Sequence, residues 1–311
     1  MATLKQAADV IIKKCMNVKE GEKVLILTDK NKIDIANAFF KDYKLIEIPV
    51  GKTHGEEPSE NIAKEMLNYD IILLITSKSL SHTKARRDAT KKGAGIASMP
   101  GITEDILKRC IDIDYDELKK VHEKLRELLI NSREIKITTE LGTDLTVSVT
   151  EVHGKTGGLL HNKGDFGNLP TGEVDSGVKK AEGMLIIDAS FGGLGKLSSP
   201  LKLEIVDGYV VSIQGEDSSR LNKILNPFGK QAYKIAEFGI GTNPKAVVTG
   251  NVLEDEKVLG TVHLALGNDL TYGGKNNVPI HLDGVMNSPT IYIDGKKIIE
   301  KGKFLNEKIY K

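Results

Sequence analysis

Short apolar runs alternate with stretches of helical periodicity along the first part of the chain. The runs fall at residues 24–27, 45–50 and 71–76, and the segments between them repeat apolar positions every three or four residues. A run that is apolar at every position is typical of a strand buried on both faces, as in a parallel sheet crossed by helices. We therefore predict a three-layer α/β domain built on a parallel sheet.

A long amphipathic helix is predicted at residues 115–132. Leu118, Val121, Leu125 and Leu129 recur at spacings of three and four, and charged residues occupy the positions between them. This periodicity places the leucines on one face of a helix. We expect the helix to end the first domain, which would comprise residues 1–132.

The hydrophobic pattern changes beyond this helix. Apolar and polar residues there alternate around glycine-containing turns. This pattern predicts β-hairpins. The hairpins are expected at residues 135–149, 201–214 and 290–299, and helices at residues 217–225 and 230–237. The prediction for residues 133–311 is a β-rich α+β domain.

Charge and cysteine content narrow the class of protein. The 311 residues include 44 Lys and Arg against 43 Asp and Glu, which leaves a net charge of +1 and provides no general attraction for nucleic acid or an anionic membrane. Cys15 and Cys110 have no second cysteine or histidine at metal-ligand spacing, so we expect reduced, buried thiols. With no signal peptide recognisable, a cytoplasmic location is predicted.

Several common catalytic motifs are absent from the sequence. Gly51-Lys52-Thr53 resembles the end of a phosphate-binding loop, but Ile46 stands where the earlier glycine is required. The chain has neither the Gly-x-Ser-x-Gly motif of serine hydrolases nor the His-Glu-x-x-His motif of zincins. The sequence therefore does not support a phosphate-binding loop, a serine hydrolase or a zincin.

Four short segments carry a possible set of metal ligands. His281 and Asp283 lie two apart in a strand pattern, so their side chains share one face. His263 and Glu237 stand within apolar segments, where a polar side chain requires a partner. With Glu173, these residues form an oxygen-and-nitrogen set suited to Zn, Co or Mn, and large enough for two ions that share a carboxylate.

At these segments the chain resembles the thermophilic metalloaminopeptidases of the aminopeptidase T or leucyl aminopeptidase type. The similarity lies in Pro170-x-Gly172-Glu173-Val174, in Glu237, in Gly260-Thr261-x-His263-x-Ala265-x-Gly267 and in His281-x-Asp283. The resemblance implies a metallo-exopeptidase that binds two divalent metal ions and removes amino-terminal residues from small peptides. It also implies a homodimer formed through the carboxyl-terminal domain.

The resemblance also suggests catalytic roles. Glu173 or Glu237 is the candidate general base, and a metal-bound hydroxide would attack the peptide carbonyl. Members of that family usually have a tyrosine seven residues after the histidine ligand, but Leu270 occupies this position here. Tyr272, two residues further on, is the candidate that would donate a hydrogen bond to the oxyanion.

Two alternatives use the same residues. His263, His281 and Asp283 form a two-histidine, one-carboxylate set, the pattern of mononuclear Fe(II) oxygenases. Ring-cleaving dioxygenases acting on dihydroxypyridines resemble the same family, so an Fe(II) enzyme of that type is the second hypothesis. A metal-binding module without turnover is the third. The sequence leaves the metal and the substrate open.

Overall fold

A computed structural model of the chain describes residues 2–39 and 43–305. The chain divides into two compact units, Met1–Tyr115 with Gly158–Thr171, and Asp116–Gly157 with Gly172–Lys311. The predicted domains, 1–132 and 133–311, differ from these units in two places. The long helix belongs almost entirely to the second unit, and a later segment returns to the first because it adds a strand to the parallel sheet.

The elements are numbered in chain order. The helices are α1 Leu4–Val10, α2 Ile33–Phe39, α3 Glu60–Met66, α4 Lys84–Lys92, α5 Glu104–Cys110, α6 Tyr115–Ile130, α7 Ser218–Leu225 and α8 Val252–Asp255. The strands are β1 Val24–Thr28, β2 Lys44–Glu47, β3 Ile71–Ile75, β4 Gly95–Ser98, β5 Ile135–Thr138, β6 Asp144–Val152, β7 Phe166–Asn168, β8 Glu173–Ile187, β9 Ser190–Phe191, β10 Gly195–Lys196, β11 Leu201–Val206, β12 Tyr209–Gln214, β13 Ile235–Gly241, β14 Val262–Gly267, β15 His281–Met286, β16 Thr290–Ile293, β17 Lys296–Glu300 and β18 Lys303–Phe304.

The first unit contains a five-stranded parallel sheet in the order β2-β1-β3-β4-β7. Every residue of β1, β3 and β4 is buried, as expected when helices cover both faces of a sheet. Leu25 and Ile72 pack in one cluster with Met66 of α3 and Ala85 of α4. Each such leucine or isoleucine removed from water stabilises the fold by about 1.5–3 kcal/mol.

The second unit contains a 13-stranded sheet whose main path is antiparallel and runs β10-β9-β15-β14-β13-β8-β6-β5-β16-β17-β18. The predicted hairpins are present as β5–β6, β11–β12 and β16–β17, and their turns contain Gly142, Gly208 and Gly295 at positive φ. The predicted fold class, a parallel-sheet α/β region and a β-rich region, is confirmed.

The predicted helix at residues 230–237 is wrong. A 3-10 turn covers Lys230–Tyr233, and the chain then enters strand β13. The local sequence favours a helix, but all seven residues of β13 are buried and the strand pairs with β8 on one side and β14 on the other. Ladder hydrogen bonds and burial therefore override local helix propensity. This change places Glu237 in the middle of a sheet.

His122, on the buried face of α6, connects this helix to two other segments of the second unit. Its Nδ1 lies 2.9 Å from the carbonyl oxygen of Gly154, and its Nε2 lies 2.8 Å from Oγ1 of Thr242. Burial lowers the pKa of His122 from 6.5 to about 4, and the hydrogen bond to Gly154 only partly opposes this effect. The ring is therefore neutral at neutral pH.

Within the described ranges, no helix combines the length and apolar character needed to cross a bilayer. The predicted cytoplasmic location and homodimer stay predictions.

The pKa of His122 predicts part of the acid sensitivity of the fold. Between pH 6.5 and 4 the unfolded chain binds a proton that the folded protein excludes, so this site makes stability rise with pH, by about 3 kcal/mol across the window. The advantage of wild type over His122→Gln in urea unfolding should therefore shrink as the pH falls from 7 to 4. A difference that stays constant over this range would contradict the assignment. The exposed His161→Gln is the control and should follow wild type.

Candidate metal centre

Four adjacent strands of the second unit bring the predicted ligands together. Their order in the sheet is β15-β14-β13-β8, and each pair is antiparallel. Glu237 lies opposite Ala265, which in turn lies opposite Asp283, so these three residues form one row on one face. The methyl side chain of Ala265 leaves space between the two carboxylates.

Small residues occupy further positions on the same face. His263 lies opposite Gly239, and His281 lies opposite Gly267. A Cβ atom on Gly239 would lie 2.2 Å from Cε1 and Nε2 of His263, so only glycine accommodates the imidazole ring at this position. The alternation of glycine or alanine with long polar side chains thus creates the room in which the site is built.

Glu237 is the central carboxylate of the cluster. Its Oε1 lies 3.2 Å from Nε2 of His263, and its Oε2 lies 2.8 Å from Nε2 of His281. Nε2 of His281 is also 3.6 Å from Oδ1 of Asp283. Ligand atoms of Glu237, His263 and Asp283 all lie within 4.8 Å of one another, which makes the three side chains candidate ligands of one metal ion.

The orientation of His281 favours a cation at its Nε2. Nδ1 of this ring lies 2.8 Å from the carbonyl oxygen of Asn268, which can only accept, so Nδ1 carries a proton. Nε2 then faces the Glu237 carboxylate either as a second N–H or as a lone pair that shares a cation with it. Metal-binding histidines are commonly fixed by such a bond from the other ring nitrogen.

Nε2 of His263, like that of His281, either carries a proton or binds a cation. Nδ1 of its ring and Oε2 of Glu173 are buried and have no hydrogen-bond partner among the described residues. A doubly protonated ring would bury an N–H without an acceptor, at a cost of about 1–3 kcal/mol. A metal ion at Nε2 would leave the same hydrogen on Nδ1, so this cost is common to both states. The donor set fits a divalent cation because imidazole nitrogens and carboxylate oxygens are the ligands that such ions take in proteins.

The buried carboxylates of the cluster also favour positive charge among them. Burial alone would raise the pKa of Glu237, but its hydrogen bonds with His263 and His281 hold that pKa well below its usual value. Burial opposes a charge on His263, yet Glu237, Glu173 and other carboxylates raise the pKa of the ring to about 10. The carboxylates thus stabilise any cation placed among them, whether a proton or a metal ion.

Glu173 begins strand β8 beside this cluster. Its Oε2 is 3.7 Å from Nε2 of His263, and its Oε1 is 3.1 Å from Nζ of the buried Lys257. Lys257 also pairs with the neighbouring Glu256. Burial raises the pKa of Glu256 to about 8, and the nearby charge of Glu173 adds to this rise.

The predicted catalytic tyrosine belongs to a second group next to the ligands. Tyr272 donates its hydroxyl hydrogen to Oδ2 of Asp175 over 2.7 Å. The ring of His153 stacks on Tyr272 with 4.8 Å between centroids, and Nδ1 of His153 is 3.6 Å from the same Asp175 oxygen. Burial and the charge of Asp175 raise the pKa of Tyr272 well above its usual value, so the phenol remains a proton donor.

The structure thus brings Glu173, Glu237, His263, His281 and Asp283 into one cluster, with Tyr272 beside it. Sequence reasoning missed Asp175 and Lys257 and gave little weight to His153. The spacing of Glu173 and Asp175, two apart in one strand, could have indicated Asp175. No comparable signal marks Lys257, because residues 254–257 are all charged and read as a solvated turn, although Lys257 is 1% exposed.

Comparison with known protein families identifies the family of this chain. The family model described as NicX, 2,5-dihydroxypyridine 5,6-dioxygenase, matches residues 4–306. The chain belongs to this family.

Individual relatives agree with the family match. The 2,5-dihydroxypyridine 5,6-dioxygenase of Pseudomonas putida is 23% identical over 264 residues, which cover 78% of this chain and 73% of the relative. The solved structure of 2,5-dihydroxypyridine dioxygenase from Pseudomonas putida KT2440 superposes with a TM-score of 0.83 at 20% identity and covers 98% of both chains. Wild-type AmpT from Thermus thermophilus gives 0.71 at 16% identity, with coverage of 97% of this chain and 99% of AmpT.

The predicted metallo-exopeptidase activity is wrong, as is the classification of the chain as a hydrolase or protease. The fold is shared with AmpT, but the family match and the curated relative are ring-cleaving dioxygenases. The error has a chemical origin. Imidazole and carboxylate ligands suit Zn, Mn and Fe(II) alike, so the ligand pattern predicts a metal site and does not determine the reaction.

The contact between Gly239 and His263 provides a test of the site's geometry. In Gly239→Ala the new methyl group must displace the His263 ring, so we expect divalent-metal affinity to fall about tenfold or more. The measurement is a titration of metal-free protein with Zn²⁺ against a chromophoric chelator. Gly95→Ala is the matched control, because Gly95 is a strand glycine whose nearest neighbour is the flexible end of Ile71 at 3.2 Å. Equal affinities in the two folded variants would show that His263 is not a ligand.

Proposed function

We propose that this chain is a ring-cleaving dioxygenase that uses Fe(II) to open a dihydroxylated aromatic ring of the 2,5-dihydroxypyridine type. The observation that carries the proposal is that His263 and His281 both contact Glu237 and that Asp283 lies near each of the two rings, in a chain of the 2,5-dihydroxypyridine 5,6-dioxygenase family. Two histidines and one carboxylate with open positions are the ligand set of mononuclear Fe(II) oxygenases.

His263, His281 and Asp283 would hold the iron in this proposal. The carbonyl oxygen of Asn268 fixes the tautomer of His281 so that Nε2 faces the site, and Gly239 leaves the space that the His263 ring occupies. Glu237 stays ionised because its pKa is held low, and its carboxylate aligns both imidazoles. Bound Fe(II) would supply the one-electron chemistry that allows dioxygen to react with an aromatic ring.

The reaction balances without an external reductant. Both atoms of dioxygen enter the product, one carbon–carbon bond of the ring breaks, and the electrons that reduce the oxygen come from the ring. The chain must therefore bind and orient the ring and accept protons from its hydroxyl groups. His263 is fully buried, and the side chains of His281 and Asp283 are 17% and 14% exposed, so access of water to the site is restricted.

Asp175, His153 and Tyr272 would accept the protons released by the substrate hydroxyl groups and transfer them to solvent. Asp175 receives the hydrogen bond from Tyr272, and both Asp175 and Glu151 lie 3.6 Å from nitrogens of His153. Burial would lower the pKa of His153, but Asp175 and Glu151 raise it overall. The side chain of His153 is 30% exposed, so it can pass a proton from a substrate hydroxyl to solvent.

Removal of one ligand tests the metal assignment. In His281→Ala or Asp283→Ala, the loss of one of three ligands should reduce Fe(II) retention and oxygen consumption with 2,5-dihydroxypyridine by about a hundredfold or more. Iron content and an oxygen electrode provide the two measurements. The exposed His161→Ala is the matched control and should retain both. The proposal fails if a folded His281→Ala variant consumes oxygen at the wild-type rate.

Removal of the Tyr272 hydroxyl tests the proton-handling group. Tyr272→Phe keeps the ring that stacks on His153 but deletes the donor to Asp175, so kcat should fall about 10- to 100-fold while iron content stays unchanged. The matched control is Tyr233→Phe, since the Tyr233 hydroxyl bonds only to the side chains of Asn222 and Asn226 among the contacts described. A Tyr272→Phe enzyme with unchanged kcat and pH profile would exclude the role.

A further inference from the structure

A buried lysine lies beside the candidate ligands. Lys257 is 1% exposed, its Nζ is 3.1 Å from Oε1 of Glu173, and it contacts Oε1 of Glu256. A lysine ammonium is strongly hydrated in water, so its burial is costly unless carboxylates compensate. The two glutamates supply that compensation, which makes the three side chains one electrostatic unit.

Glu173 is shared between this unit and the metal ligands. Its Oε1 pairs with Lys257, while its Oε2 faces Nε2 of His263 at 3.7 Å. In two-metal sites the ions lie about 3.5 to 4 Å apart and share the surrounding carboxylates. A second divalent ion bound by Glu173 would therefore lie close to the ammonium of Lys257, and the two positive charges would repel each other at short range in a buried region.

We infer that Lys257 excludes a second divalent ion from the one-metal centre of the proposed function, because its ammonium occupies the carboxylates that such an ion would need. Glu173 then has a positioning role, in which it balances the charge of Lys257 and borders His263 and does not bind metal. The inference rests on the metal centre of the proposed function, but it requires neither iron nor the ring-cleaving reaction. It also replaces the predicted pair of ions by one, which suits a two-histidine, one-carboxylate site.

The number of Zn²⁺ ions bound per chain tests the inference, since Zn²⁺ needs no substrate and no oxygen. Chelator-treated wild type, Lys257→Arg and Lys257→Met should be titrated with Zn²⁺ and their metal content determined by elemental analysis. Wild type and Lys257→Arg should bind one ion, because both retain the positive charge. Lys257→Met should bind two, because Glu173 and Glu256 lose their cation. Its melting temperature should rise more on Zn²⁺ addition than that of wild type.

Two results would overturn the inference, namely two Zn²⁺ ions in wild type or one ion in a folded Lys257→Met variant. If Lys257→Met does not fold, Glu173→Gln decides the question in the presence of the native lysine. Its Zn²⁺ affinity should stay within about threefold of wild type if Glu173 is not a ligand, whereas a loss of tenfold or more would identify it as one. Failure of ring cleavage would leave all of these zinc counts unchanged, so the two proposals can fail independently.

Discussion

The site depends on a concentration of negative charge inside the protein that must be balanced by cations. Glu237 contacts two imidazoles, and Glu173 lies between His263 and Lys257. Burial makes each of these charges expensive, so the cluster is stable only when positive charge lies among the carboxylates. The ammonium of Lys257 supplies part of it. A divalent metal ion bound at the imidazole nitrogens would supply the rest.

The sheet makes this arrangement sterically possible. Antiparallel pairing places Glu237, Ala265 and Asp283 in one row, and Gly239 provides the space for the His263 ring. Long polar side chains converge because the neighbouring positions on the same face carry glycine or alanine. The arrangement is rigid, since it is built on strands and not on loops, and rigid ligands are what a metal site with open positions requires.

Residue patterns predict some of these features and not others. The hairpins are predictable because their period of two and their glycine turns are local properties of the sequence. The same period of two predicts that the side chains of His281 and Asp283 share one face of a strand. Lys257 is not, because its burial depends on the distant Glu173. The strand at Glu237 is likewise decided by its neighbours β8 and β14. The reaction cannot be predicted from the residue pattern, because AmpT and the dihydroxypyridine dioxygenases share a fold and the same types of metal ligand serve hydrolysis and oxygen chemistry.

The proposed reaction of this cluster is the cleavage of an aromatic ring with dioxygen. The most direct test is mass spectrometry of the product formed from 2,5-dihydroxypyridine under ¹⁸O₂ by protein reconstituted anaerobically with Fe(II). We expect a ring-opened product that carries both labelled oxygen atoms. An iron-loaded, folded protein that leaves the ring intact, or a product that takes its oxygen only from water, would contradict it.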